Sequence, residues 1–152
     1  MPQRSVVAVG ASLLVASLAL AGCGSRSDDT EGTDTGSAEN KVAKIGVIAP
    51  LSGDLAALGK GIQNSVDLAI RQANEAKTIP GWTLELAAED DQATPDVGKN
   101  AATKLAADKD VVGVVGTLNS SVAQSVQPVL AAANIVQVSP ANTNPSLTQG
   151  AD

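Results

Sequence analysis

Apolar residues recur along residues 41–152 with two different spacings, which predict alternating strands and helices. From Ile62, and again from Val122, apolar residues return at i+4, i+7, i+8 and i+11, so each run gives a helix one apolar face. An Ala-rich helix is predicted between them, with Thr94–Pro95 as N-cap and first helical residue and an end near Asp108. Short β-branched runs predict four strands, at residues 43–49, 83–88, 111–115 and 135–138.

The predicted order βαβαβαβ defines an α/β fold. Crossover connections of this length are right-handed, so the strands form a parallel sheet with helices on both faces, in three layers. We expect a loop at residues 51–61 and a capping box formed by Ser121 and Gln124. After residue 143 we expect a polar end without a further element. Because ligands of such sheets bind beyond the carboxyl ends of the strands, the loops there are the candidate site.

Two of these loops carry groups suited to a zwitterion. Gly116–Ser121 leads directly into a predicted helix, so free N–H groups, hydroxyls and the positive end of the helix dipole could hold a carboxylate. Residues 139–143 (SPANT) offer hydroxyls and carbonyls that could accept an ammonium group. An amino acid would satisfy both loops. Ordinary helix capping by the serines is the alternative, and the spacing alone leaves it open.

Composition excludes several classes of chemistry. The chain of 152 residues contains no His, one Cys and no Tyr or Phe, which removes zinc clusters, imidazole-based catalytic triads and a structural disulfide. The net charge of -6 and the lack of a basic cluster argue against nucleic acid as a partner. We expect the acids Glu89–Asp91 to be solvated rather than catalytic or metal-binding. No enzyme activity, cofactor or metal is predicted.

Residues 1–22 are typical of an export signal. Arg4 supplies positive charge, and Val6–Leu20 is an apolar run too short to span a membrane easily. The run ends in Leu20-Ala21-Gly22-Cys23, which resembles the lipobox of bacterial lipoproteins, whose Cys becomes lipidated. A hydrophobic anchor with an unrelated Cys is the alternative. We therefore expect an exported protein, held at the outer face of the cell membrane by lipidated Cys23.

A polar segment separates the predicted export signal and Cys23 from the predicted domain. Residues 24–40 contain five acids, one Arg and no large apolar residue, so they cannot bury enough surface to fold. With the lipidated Cys, residues 23–40 are expected to form a disordered tether between a membrane anchor and the domain at residues 41–152.

Four segments together resemble the branched-chain amino acid (Leu/Ile/Val) binding proteins of ABC transporters, which are type I periplasmic binding proteins. The resemblance covers residue 42 to about residue 150, nearly all of the predicted domain. The segments are IGVIAPLSGDLAALGKGIQNSVDLAI, EDDQATPDVGKNAATKL, VVGVVGTLNSSVAQSVQPVL and SPANTNPSLT.

The resemblance implies a set of ligand contacts. Ser120 would bind the ligand carboxylate through its hydroxyl and amide, with Thr143 beside it. The Ala141 carbonyl and the Thr143 hydroxyl would receive the ammonium group. Leucine-binding members often carry an aromatic residue at the position of Leu58, so this departure affects side-chain specificity. The implied partners are an amino acid and an ABC permease in the membrane.

Family members have two lobes that close on the ligand. The resemblance therefore implies that residues 41–152 are the N-terminal part of a first lobe, an incomplete and truncated domain that exposes apolar surface and has marginal stability. The function implied is amino acid uptake. Three alternatives stay open: the same fold binding urea or short amides, the sensing module of a receptor, and a non-functional truncated fragment.

Overall fold

The computed structural model describes residues 41–149, so the predicted export signal, Cys23 and the predicted tether lie outside the described residues. The order βαβαβαβ is confirmed. A short 3₁₀ helix, Pro145–Leu147, follows the last strand, where we expected no further element. No helix within residues 41–149 is long and apolar enough to cross a membrane. The elements are β1 Lys41–Ala49, α1 Ala56–Glu75, β2 Trp82–Asp90, α2 Pro95–Ala107, β3 Val111–Gly116, α3 Ser120–Ala132 and β4 Val136–Val138.

The four strands form one parallel sheet in the order β2-β1-β3-β4. β1 and β2 pair along their whole length, from Lys41 opposite Trp82 to Ala49 opposite Asp90. The chain passes from β1 to β2 on one side and then crosses to β3 on the other side of β1. The strand order therefore reverses between β1 and β3, and their carboxyl ends border the crevice where such folds bind ligands.

The helices occupy both faces of the sheet, which confirms the predicted three-layer fold. α1 packs on β1 and β2, whereas α2 and α3 pack together on the opposite face. The two helices approach closely at Gly98, where an added Cβ would lie 2.3 Å from Val122 Cγ1. The buried core between the sheet and these helices contains Ile48, Ala101, Ala102, Leu105, Val111, Val114, Val122, Val126 and Leu130.

The face that carries α1 is only partly covered. Ile135 packs against the core of the other face, so the alternation of a strand turns Val136 and Val138 toward the α1 side. Both are more than half exposed, as is Val112 on β3. An apolar groove of about 420 Å³ runs between α1 and Val115. The expected exposed apolar surface is therefore present.

Two local predictions near the helix starts are wrong. α1 begins at Ala56, six residues before Ile62, because Gly59 is buried against the end of β1 instead of belonging to a loop. The N-cap of α3 is Asn119, and no side chain caps this helix. Ser121 therefore lies inside the first turn, and Gln124 donates to the Ser146 hydroxyl instead of closing a capping box.

Candidate ligand-binding site

The candidate site is the edge formed by the carboxyl ends of the strands. The loop after β1, residues 50–55, and the loop after β3, residues 117–119, border the point where strand order reverses. The segment that follows β4 runs back across the start of α3, where hydrogen bonds from residues 142–144 hold it. Three of the predicted segments therefore lie at one edge of the sheet.

Ser120 and Thr143 are adjacent in the structure. Ser120 is the first residue of α3, and its hydroxyl oxygen accepts hydrogen bonds from the N–H groups of Thr143, at 3.2 Å, and Asn144, at 3.3 Å. Because the oxygen accepts both bonds, its own O–H hydrogen stays available to donate. The Ser120 hydroxyl is thus fixed in place by backbone and still able to bind an anionic oxygen.

The start of α3 adds further donors at the same point. The N–H groups of Val122 and Ala123 donate to the carbonyl of the N-cap Asn119. Within the described residues no acceptor is found for the N–H groups of Ser120 and Ser121. Unpaired N–H groups and the positive end of the helix dipole together favour a carboxylate.

The acceptors expected for an ammonium group lie beside these donors. Ala141 and Thr143 are exposed, and neither the Ala141 carbonyl nor the Thr143 hydroxyl bonds to another residue of the described part of the chain. Both residues follow β4, which is one strand away from the crevice. Because neither acceptor is used by another described residue, both groups are free to accept a hydrogen bond from a ligand.

Asn142 is a positioning residue that the sequence analysis missed. Its Nδ2 donates to the Leu118 carbonyl at 3.2 Å and lies 3.5 Å from the Thr117 hydroxyl, so it ties the segment after β4 to the loop after β3. Its backbone N–H and its Oδ1 both bond to the Ser139 hydroxyl. The signal available in sequence was an Asn between the two predicted ligand contacts, in a loop that needs a side chain to hold it.

Asp90 holds the loop after β1. Its carboxylate accepts from the Leu51 N–H at 2.8 Å, the Ser52 hydroxyl at 2.5 Å and the Gln92 N–H at 2.9 Å. Burial by itself raises the pKa of this carboxyl, but the hydrogen bonds from Ser52, Gln92 and Leu51 outweigh it and hold the pKa below 3.8. Asp90 is therefore an ionised positioning residue at the rim.

The expectation that all three neighbouring acids are solvated is wrong for Asp91. This side chain is fully buried; its Oδ1 accepts from the Ala93 N–H at 2.8 Å, while its Oδ2 has no partner among the described residues. Burial raises the pKa of Asp91, helped by the negative charge of Asp90 and opposed by the bond from Ala93. The cause lies in tertiary packing, because Asp91 lies beside α2, where a Cβ added to Gly98 would be 3.6 Å from the Asp91 Cβ.

Leu58 does not join the other predicted site residues. It lies in the first turn of α1 with its side chain 59% exposed, and the described contacts do not link it to Ser120, Ala141 or Thr143. It borders the same edge of the sheet from the β1 side. Leu58 would therefore contact a ligand from the β1 side of the crevice, opposite Ser120 and Thr143.

A polar pocket of about 370 Å³ lies next to the Ser120–Thr143 cluster. Amide and hydroxyl side chains dominate its lining, and no charged residue contributes to it. Its lining residues are Gln127, Gln137, Ser139, Asn142, Thr143, Asn144, Pro145, Leu147 and Thr148.

The sequence profile of the periplasmic binding protein family matches residues 42–151. This match covers most of the chain, and the chain belongs to that family. Solved structures agree with the assignment: the branched-chain amino acid substrate-binding protein LivJ of Streptococcus pneumoniae, in complex with isoleucine, has a TM-score of 0.68 and 30% identity. That alignment covers 72% of this chain and 32% of LivJ. Family membership implies an extracytoplasmic location.

Several of the similar proteins are named for branched-chain amino acids. The Leu/Ile/Val-binding protein BraC3 of Rhizobium johnstonii is 38% identical over 105 residues, which are 69% of this chain and 28% of BraC3. The leucine-binding protein LivK of Thermotoga maritima has a TM-score of 0.62 and 29% identity over 71% of this chain and 30% of LivK. The chain thus spans less than a third of the length of these relatives.

Proposed function

We propose that the protein is a lipid-anchored substrate-binding protein of an ABC transporter that binds a branched-chain or related amino acid for uptake. The observation that carries this proposal is the meeting of the Ser120 hydroxyl, the open N–H groups of α3 and the free acceptors of residues 141 and 143. No bond of the ligand is made or broken. The site needs no cofactor, because backbone dipoles and hydroxyls suffice to hold a zwitterion.

Binding starts from the fixed donors of α3. The ligand carboxylate accepts from the N–H groups of Ser120 and Ser121 and from the Ser120 hydroxyl, and the helix dipole stabilises its charge. The ammonium group donates to the Ala141 carbonyl and the Thr143 hydroxyl. Because Asn142 holds the segment between these acceptors, little loop ordering is needed on binding.

A replacement of Ser120 tests the site. In the complete protein, Ser120→Ala removes one charge-assisted donor and one acceptor, and we expect amino acid binding to weaken by about 1–3 kcal/mol in calorimetry. Ser121→Ala is the matched control, since the Ser121 side chain is exposed and forms no hydrogen bond with described residues. Equal affinity of the two variants would refute the proposed carboxylate contact.

The described residues supply one side of a clamp in this proposal. The relatives are more than three times as long as the aligned region, and the second lobe of the clamp would come from sequence matching their remaining length. Side-chain specificity then depends on Leu58 and on that lobe. Blotting native membranes with an antibody to residues 41–152 tests this point, since a product of at least about twice 15.1 kDa is expected. A product no larger than the chain itself would favour a truncated remnant.

Lipidation of Cys23 is the proposed attachment to the membrane. Its support is the sequence alone, an apolar run that ends in the only Cys of the chain. Cys23→Ser should abolish incorporation of labelled fatty acid, whereas Ser25→Ala, two residues away, should leave it unchanged. Equal labelling of both variants would exclude Cys23 as the attachment point.

A neutral short amide or urea is the second candidate ligand. The observation that favours it is the amide-rich and uncharged lining of the pocket beside Thr143. A thermal-shift panel of leucine, isoleucine, urea and acetamide on the complete protein separates the two, because a ligand that binds the folded state raises its stability by RT ln(1 + [L]/Kd). A rise with amides and none with amino acids would replace the main proposal.

A further inference from the structure

The edge of the sheet opposite the candidate site carries an exposed apolar turn flanked by lysines. Ile79 and Trp82 are 46% and 41% exposed, and Trp82 is the only aromatic residue of the whole chain. They line an open depression of about 540 Å³ together with Lys77 and Pro80. Lys41 completes the group, with its Nζ 5.4 Å from the centre of the Trp82 ring. We name these five residues the Trp82 patch.

The backbone holds this patch in a defined shape. Trp82 is the first residue of β2 and pairs with Lys41, the first residue of β1. The Trp82 N–H donates to the Ile79 carbonyl at 3.2 Å, and the Lys41 N–H donates to the Gly81 carbonyl at 3.0 Å. The exposed side chains therefore project from a hydrogen-bonded turn at the end of two paired strands.

The chemistry of the patch fits the interface of a lipid bilayer. Trp favours the headgroup region, where its ring is buried and its N–H stays hydrated, and Lys can place its charge at phosphates while its stem covers apolar surface. Within residues 41–149, Lys41 and Lys77 form no ion pair. Lys44, on the same strand as Lys41, is in contrast paired with Asp108 and Asp110.

The position of the patch brings it near such a surface. The predicted tether, residues 24–40, ends directly at Lys41. A flexible chain of this length has an end-to-end distance of roughly 20–25 Å, so a lipid on Cys23 would keep the patch within that range of the bilayer. Because the anchor already holds the domain close to the bilayer, docking of the patch costs little further translational freedom.

We propose that the Trp82 patch docks on phospholipid headgroups, with Ile79 and Trp82 in the interface and Lys41 and Lys77 at phosphates. This inference rests on the membrane attachment proposed above. Because the patch lies at the amino ends of the strands, docking directs the ligand edge, at their carboxyl ends, away from the bilayer. The domain would thus rest with its site open to the outside solution.

The fluorescence of Trp82 tests this directly. The 152-residue chain has one Trp and no Tyr or Phe, so the intrinsic emission of this chain reports on the patch alone. The 152-residue chain is reconstituted into phospholipid vesicles that carry bromine on their acyl chains near the headgroups. We expect a blue-shifted emission and a lower intensity than in unbrominated vesicles, as for a ring buried about 5–10 Å into the interface.

A matched pair of variants isolates the patch. Ile79→Ser combined with Lys77→Glu should abolish most of the quenching, whereas Leu68→Ser should not, although Leu68 is 47% exposed and equally apolar. Quenching that is the same in both variants, or absent in the unmodified chain, would overturn the proposal. Protection of Trp82 from both brominated lipid and aqueous acrylamide would also overturn it, since the tether or a second copy then covers the patch.

The state of the anchor is read separately, by the mass of the peptide that contains Cys23. If Cys23 is not lipidated but the apolar run Val6–Leu20 still holds the chain on vesicles, the predicted tether is the same, and the quenching test is carried out in the same way. A chain that does not stay on vesicles is titrated with them to saturation, and Trp82 quenching is again the readout. Failure of the lipid attachment and failure of docking are therefore distinguishable.

Discussion

Two glycines in the first turns of α1 provide a matched test of the structure, because they share a helix and differ only in their surroundings. Gly59 is buried, and a Cβ added there would lie 1.9 Å from the carbonyl oxygen of Pro50, the residue directly after β1. Gly61 has nothing within 4 Å of such a Cβ. Replacing each with Ala introduces the same side chain into the same helix.

The expected free energies have opposite signs. Ala in place of Gly inside a helix gains about 1 kcal/mol, and Gly61→Ala should stabilise the protein by that amount. Gly59→Ala gains the same helix propensity, but the new methyl overlaps backbone, so the helix and the loop after β1 must separate by about 1.5 Å to restore normal contact. Overpacking of this kind costs about 1–3 kcal/mol or more. The propensity gain cancels between the two variants, so their difference measures the close approach.

Urea unfolding followed by Trp82 fluorescence and circular dichroism measures both variants. We expect Gly61→Ala to raise the unfolding midpoint and Gly59→Ala to lower it, with a difference in unfolding free energy of at least about 1 kcal/mol. The slope of free energy against urea should stay constant. If both variants were stabilised equally, α1 would not contact Pro50 as described, and the loop predicted at residues 51–61 would regain support.

Three further predictions concern the core and the acids at the rim. Asp91→Asn should remove the pH dependence that the buried Asp91 carboxyl contributes to stability, because the amide has nearly the same shape and does not titrate. Since the folded-state pKa of Asp91 is raised, the unmodified protein should gain stability as pH falls toward 3.8, and urea midpoints of the Asn variant should lack that gain. Ser52→Ala should raise the pKa of Asp90, measured by carboxyl NMR. Asp90 contributes stability above pH 3.8 that is lost as pH falls through its lowered pKa, so this loss should be smaller in the variant and complete at higher pH, and an unchanged pKa would contradict the hydrogen bond. Leu130→Ala should cost about 2–5 kcal/mol in urea unfolding, and a loss below about 1 kcal/mol would contradict its burial.

The strands and helices were predictable because their signals are local. The run Val111–Val115 is β-branched at every position except Gly113, and Val122, Val126 and Leu130 share one helix face, which the structure buries as predicted. Helix starts were less predictable. Residues 51–61 were predicted to form a loop, yet α1 begins at Ala56 and packs Gly59 closely against Pro50.

Some features of the candidate site were predictable from the sequence, and others depend on the tertiary structure. The kinds of groups at the rim, hydroxyls, amides and a helix start, are visible in residues 117–121 and 139–143, and the structure brings Ser120 and Thr143 together. The position of Asn142 and the roles of Asp90 and Asp91 were not visible. Each depends on a contact with chain far away in sequence, such as that between Asp90 and Ser52.

The sequence by itself determined the order of the elements, the parallel sheet and the chemical character of its carboxyl edge, because period, turn residues and crossover length act within a few tens of residues. The tertiary structure decided which side chains are buried and which bonds fix the rim. Asp90 and Asp91 are neighbours of the same residue type, but one is held ionised by hydrogen bonds from the loop after β1 and the other is fully buried beside α2. Only the packing of distant segments separates them, since desolvation and hydrogen bonding are properties of the folded surroundings.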